Sequence, residues 1–74
     1  MLQVVPVKIQ IKFGERLLLF SKDMFHPLLN NHALRGIYKD TRSINVTGDY
    51  RALYTRDGEK VVFIAIGTHS ELYE

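Results

Sequence analysis

The sequence contains no cysteine and no tryptophan, and only two of its 74 residues are proline. Without cysteine there is neither a disulfide nor a thiolate metal site, and a chain this short shields only a modest fraction of its surface on folding. A partner chain is the support that remains. Charge of one sign is scarce as well, with a formal net of only +2, so any electrostatic signal has to come from its distribution. No apolar run approaches the length of a membrane span, and no basic, apolar and small-residue leader opens the chain. No membrane association is expected, and the expected compartment is the cytoplasm. Repeats, low-complexity tracts and Pro/Gly/Ser linkers are also missing, so residues 1–74 read as one domain.

What is present is the composition of a folded protein, 46% hydrophobic against 24% charged. Positive charge collects between Arg35 and Arg56, where Arg35, Lys39, Arg42, Arg51 and Arg56 stand against Asp40 and Asp49, +5 − 2 = +3. RNA would suit such an excess, although solvated strand edges carry Lys and Arg too.

The first twenty residues send two signals. Val7 to Phe13 alternate apolar and polar, the period of a strand, and a strand from Val4 to Phe13 is one reading. Against it, Pro6 suits the first turn of a helix and residues 15–20 are good helix formers. The preferred reading is a helix from Pro6 to Ser21, with Val7, Ile11 and Leu18 on one stripe and Ile9, Phe13, Leu17 and Phe20 on another. Such a helix needs partners on two sides.

Pro27, Asn30-Asn31 and Gly36 punctuate residues 21–42, which read as an irregular surface connection. Alternation then returns on both sides of a turn at Gly48-Asp49, predicting a hairpin. A second turn is expected as a type I′ pair at Asp57-Gly58. The next run, Lys60 to Ile66, is apolar at both parities and predicts a strand covered on both faces, central in the sheet or roofed by a helix. The expected architecture is α+β: an N-terminal helix on a three-stranded antiparallel β-meander.

No phosphate-cradling loop, nucleophile elbow or metal-ligand spacing is found, so neither metal nor cofactor is expected. Chemistry would have to use side chains alone. RNA cleavage allows this, because the 2′-hydroxyl of the substrate is the nucleophile. The protein need only take that proton, offset charge on the phosphate and protonate the leaving 5′-oxygen. Candidates exist for all three steps, with Asp49 or His32 as base, Arg42 and Arg51 at the phosphate, His69 as acid, and Tyr50 and Tyr73 to stack bases. Each also has a plain structural reading, Asp49 as a turn residue, the arginines as edge charges and the tyrosines as packing. His26, beside Pro27, suggests only a surface role.

Three separated blocks tip that balance. Asn31-His32-Ala33-Leu34-Arg35-Gly36 with Tyr38, the run from Arg42 to Tyr54, and Gly67-Thr68-His69-Ser70-Glu71-Leu72-Tyr73 look like the RelE/ParE superfamily of toxins, closest to its YafQ-like branch. The resemblance runs over roughly residues 6 to 74. It implies the toxin of a type II toxin–antitoxin system: a ribosome-dependent, metal-free endoribonuclease of messenger RNA, held inactive by a cognate antitoxin. Carried over residue by residue, His32 resembles the loop histidine of the family, Asp49 its acid at the hairpin turn, His69 its C-terminal histidine and Tyr73 its closing aromatic. Tyr50 falls where YafQ-like members often have Trp, and Asn45 where some have another His. An amide there can orient RNA but cannot exchange a proton near neutral pH.

Family members usually open with a strand and a basic helix ahead of the one that resembles Pro6 to Ser21. Here only Met1 to Val5 precede it. The chain therefore looks shortened, with a sheet edge uncovered for self-association and fewer cations for ribosomal RNA. This motivates an alternative expectation, a non-catalytic toxin homologue that binds an antitoxin or itself. Superfamily members that poison DNA gyrase lack the catalytic histidines, and the presence of His32 and His69 argues against that activity.

Overall fold

Pro6 resolves the ambiguity of the first twenty residues. The computed structural model describes residues 5–73, including every side chain in that span except those of Ile37 and Tyr73. Pro6 is the N-cap of helix α1, Val7–Lys22, and its carbonyl accepts from the N–H groups of Ile9 (2.9 Å) and Gln10 (3.0 Å). Residues 7–13 are thus helical, and the strand alternative fails there; its first residue, Val4, lies outside the described residues. Alternation lost because the helical stripe of Ile9, Phe13 and Phe20 finds a core to bury against. Lys22 closes the helix, where a cation suits the negative end of the dipole.

Two 3₁₀ turns, Pro27–Leu29 and Gly36–Tyr38, bracket a two-residue strand β1, His32–Ala33. Strands β2, Thr41–Asn45, β3, Tyr50–Asp57, and β4, Lys60–Thr68, follow, and helix α2, His69–Tyr73, closes the described chain. Among the described residues the sheet has four antiparallel strands in the order β1-β2-β3-β4, one more than the expected meander, because the stretch read as irregular supplies β1. The fold class is the expected α+β.

The β3–β4 turn departs from expectation in detail. Asp57 pairs with Lys60, so Gly58-Glu59 form the loop, and Gly58 alone has positive φ (+62°). That is the pattern of a type II′ turn, with glycine first, rather than type I′.

Register assigns the sheet faces. Ile44, Val46, Ala52 and Tyr54 point toward α1 and are fully buried, joined by Leu29 from the first 3₁₀ turn. Phe13, Phe20, Tyr54 and Phe63 form an edge-to-face cluster, with ring centroids 5.3 Å apart for Phe13–Phe63 and 5.2 Å for Phe20–Tyr54. Such pairs add about 0.5–1.5 kcal/mol each beyond area burial. The buried Tyr54 hydroxyl accepts from Asn31 Nδ2 at 2.7 Å, and the same amide nitrogen donates to the Met24 carbonyl at 2.9 Å. On the other face, Thr41, Ser43 and Leu53 are buried under a thinner cover. There α2 folds back so that Leu72 lies on Gly67, and the Tyr38 hydroxyl donates to the Leu72 carbonyl at 2.5 Å.

Strand β4 was expected to be covered on both faces, and it is not. It is an edge strand, and Val62 and Ile64 are 48% and 52% exposed. Its apolar residues fill both parities because a bulge opposite Leu53/Tyr54 shifts the phase, leaving Ile64 unpaired. Phe63 and Ile66, three positions apart, consequently both face α1. Helix α1 is likewise covered on one side only. Its second stripe, Val7, Ile11 and Leu18, is at least 61% exposed. Among the described residues no helix is long and apolar enough to cross a membrane.

Candidate functional site

At one corner of the sheet the β2–β3 turn meets the junction of β4 and α2. The N–H of His69 donates to the carbonyl of Asp49 at 3.2 Å, so two residues singled out in the sequence become neighbours through the backbone. Both are exposed. The turn that presents Asp49 is held from inside. Thr47 Oγ1 accepts from the N–H groups of Asp49 (3.2 Å) and Tyr50 (3.1 Å). Arg51 Nη1 donates to the carbonyls of Thr47 (3.0 Å), Gly48 (2.9 Å) and Tyr50 (3.2 Å). From α1, Arg16 Nε donates to the Val46 carbonyl at 3.2 Å.

His69 is fixed from the other side by a reciprocal cap. The N–H of Thr68 donates to Glu71 Oε1 at 2.7 Å, and the N–H of Glu71 donates to Thr68 Oγ1 at 3.2 Å. This capping box satisfies two amides at the start of α2 and makes His69 its first residue. Gly67 makes room for it: a Cβ there would stand 3.1 Å from Glu71 Oε1 and 3.4 Å from Leu72 Cδ2. Sequence reasoning passed over Thr47, Thr68 and Glu71, although Thr68-His69-Ser70-Glu71 has the spacing of a capping box.

The remaining candidates divide by sheet face. Asn45 and Arg51 are register partners in line with Gly67, on the face away from α1. Asn45 Oδ1 is buried without a hydrogen-bond partner among the described residues, a vacant acceptor close to the corner. His32 pairs with Ser43 and shares that face. Its Nδ1 lies 2.8 Å from the Asn30 carbonyl, which can only accept, so Nδ1 carries the proton and the neutral ring keeps its lone pair on Nε2. β1 and β4 stand three strand spacings apart, about 14 Å. His32 thus lies on the far strand of the sheet from the one that leads into His69.

Arg42 and Tyr50 belong to the opposite face. Arg42 pairs with Tyr54 and Tyr50 precedes Ala52 by two, both on the α1 side, where Tyr50 packs half-buried against the core. Arg42 Nε donates to Asn31 Oδ1 at 2.8 Å, and its guanidinium carbon lies 5.5 Å from the centroid of Phe25. Arg42 and Arg51 thus do not converge on one phosphate. Tyr73 is the last residue of α2, and its side chain lies outside the described set. Among the described residues no group of three or more His, Asp or Glu side chains gathers to hold a metal ion.

The fold occurs in known proteins. Crystalline YafQ from E. coli superposes with a TM-score of 0.76 at 19% identity, over 88% of this chain and 74% of that one. A copper-bound mutant toxin from Helicobacter pylori gives 0.69 at 28%, over 84% and 72%. YafQ in the E. coli DinJ–YafQ toxin–antitoxin complex gives 0.66 at 25%, over 88% and 71%. No curated protein matches the chain. Residues 12–74 match the family described as the bacterial toxin of type II toxin–antitoxin systems, YafQ. With that match spanning the core and both sides of the His69–Asp49 corner, the chain belongs to the YafQ family of toxins.

Proposed function

We propose that this toxin is a ribosome-dependent endoribonuclease that cuts messenger RNA without a metal. The observation that carries the reading is the His69–Asp49 junction, where an imidazole and a carboxylate share a corner beside the vacant acceptor of Asn45. In this reading Asp49 takes the proton of the 2′-hydroxyl, whose oxygen attacks the adjacent phosphorus. His69 gives a proton to the departing 5′-oxygen, leaving a cyclic phosphate. Arg51 and Asn45 orient the RNA, and Tyr73 supplies the aromatic that stacks a base. His32, across the sheet, meets a neighbouring nucleotide through its Nε2 lone pair. A cognate antitoxin is the second partner, as DinJ is for E. coli YafQ.

The test adds purified protein to a translating extract and maps cuts by primer extension. Codon-phased cuts that vanish in His69→Ala are expected, and equal cutting by that variant would sink the assignment.

A second reading, a module that binds an antitoxin or itself without cutting, is favoured by the bare Val62 and Ile64 on the β4 edge. Sedimentation separates the two. A monomer at all concentrations, unchanged by the antitoxin, would remove the second reading.

A further inference from the structure

At the end of β2 away from the His69–Asp49 corner lies an open groove of about 680 Å³. Lys39, Arg42 and Arg56 line it, with Asp40 the one acidic group, for a local balance of +3 − 1 = +2. Lys39 and Arg56 are exposed. Arg42 is held by Asn31, through Oδ1 at 2.8 Å and the carbonyl at 3.5 Å, so part of its donor fork is committed and the rest faces the groove. The same guanidinium sits over the ring of Phe25, which is 60% exposed. The backbone displaying that ring is fixed, since the N–H of Phe25 donates to Asp23 Oδ1 at 3.1 Å.

We propose that Phe25, Arg42, Lys39 and Arg56 form a subsite for single-stranded RNA, separate from the cleavage corner. A base stacks on the open side of Phe25 and the adjoining phosphates lie along the groove. Cations beside an aromatic platform are the chemistry by which single strands are held irrespective of sequence. An acidic polypeptide would use the cations but has no need of an exposed ring carrying an arginine on one side. The choice of RNA over other single strands rests on the nuclease reading above. Lying at the other end of β2, the subsite anchors a flanking stretch of RNA and takes no part in bond breaking.

The test is binding of a labelled oligoadenylate to the full chain, followed by fluorescence anisotropy across a salt series, without ribosomes. Phe25→Ala should weaken binding by about 5- to 100-fold. Lys39→Gln with Arg56→Gln should make the log–log salt slope shallower by about 0.7 for each phosphate left without its cation. Both altered surfaces are exposed, and an unchanged circular dichroism spectrum confirms that each variant is folded. Unaltered affinity in folded Phe25→Ala overturns the proposal. So does polyglutamate displacing the RNA equally from Phe25→Ala and the unaltered protein, which would make the groove a docking site for an acidic protein. If the extract shows no cutting but Phe25→Ala still loses affinity, the nuclease reading falls and the subsite stands.

Discussion

The backbone of His69 is bonded to the backbone of Asp49, N–H to carbonyl at 3.2 Å, and neither side chain takes part in that link. Replacing the side chains therefore leaves that backbone link in place. Asp49→Asn and His69→Gln should each change stability by less than about 0.5 kcal/mol, as exposed substitutions usually do. Cutting should fall by about 10²- to 10⁴-fold, the usual worth of a general acid or base. Thermal denaturation read beside primer extension checks both halves.

The reciprocal cap of α2 predicts a different signature. Thr68→Ala or Glu71→Ala leaves an amide without its acceptor and should cost about 1 kcal/mol. Cutting should drop in parallel, because His69 loses the element that fixes it. Thr68→Ser keeps the hydroxyl and should recover both properties. Gly67→Ala pushes a methyl toward Glu71 Oε1, 3.1 Å away, and should behave like loss of the cap.

Asn45 offers a test in which stability and activity part company. Its buried Oδ1 has no partner among the described residues, a condition that costs about 1–3 kcal/mol when water cannot compensate. Asn45→Leu should leave the melting temperature unchanged or raise it, while weakening RNA cleavage. A melting temperature that falls steeply would show the amide to be structural instead.

The core prediction concerns Tyr54. Tyr54→Ala should cost about 3–5 kcal/mol by opening a cavity among Phe20, Phe63 and the strands. Tyr54→Phe should cost only about 1 kcal/mol, the worth of the bond accepted from Asn31. Chemical denaturation of both variants separates ring packing from the hydroxyl.

Much of this was legible in the residues. Pro6 and the Ile9, Phe13, Phe20 stripe pointed to the helix, and the alternation around Gly48-Asp49 pointed to the hairpin. The blocks from Arg42 to Tyr54 and from Gly67 to Tyr73 singled out Asp49 and His69 before their backbone link was visible. Two things escaped. β1 is only two residues long, too short for any periodicity, and depends on pairing with Ser43 and Arg42. The separation of Arg42 from Arg51 follows from register, since nine positions of separation around a hairpin do not reveal which face each occupies until the pairs Arg42–Tyr54 and Asn45–Arg51 are known.

The unpaired Ile64 in β4 has an evolutionary consequence. Between Phe63 and Ala65 the strand changes phase, and everything downstream inherits that choice: Ile66 faces the helix, and Gly67 faces the side where Glu71 and Leu72 settle. Deleting that single codon would leave Phe63 opposite Tyr54 and Ala65 opposite Leu53 in an unbroken ladder, so every downstream pair and the exit of β4 toward His69 would be kept. Ile64 is thus the place in β4 where the loss of one residue is expected to be absorbed, whereas losing a paired neighbour would slip the register.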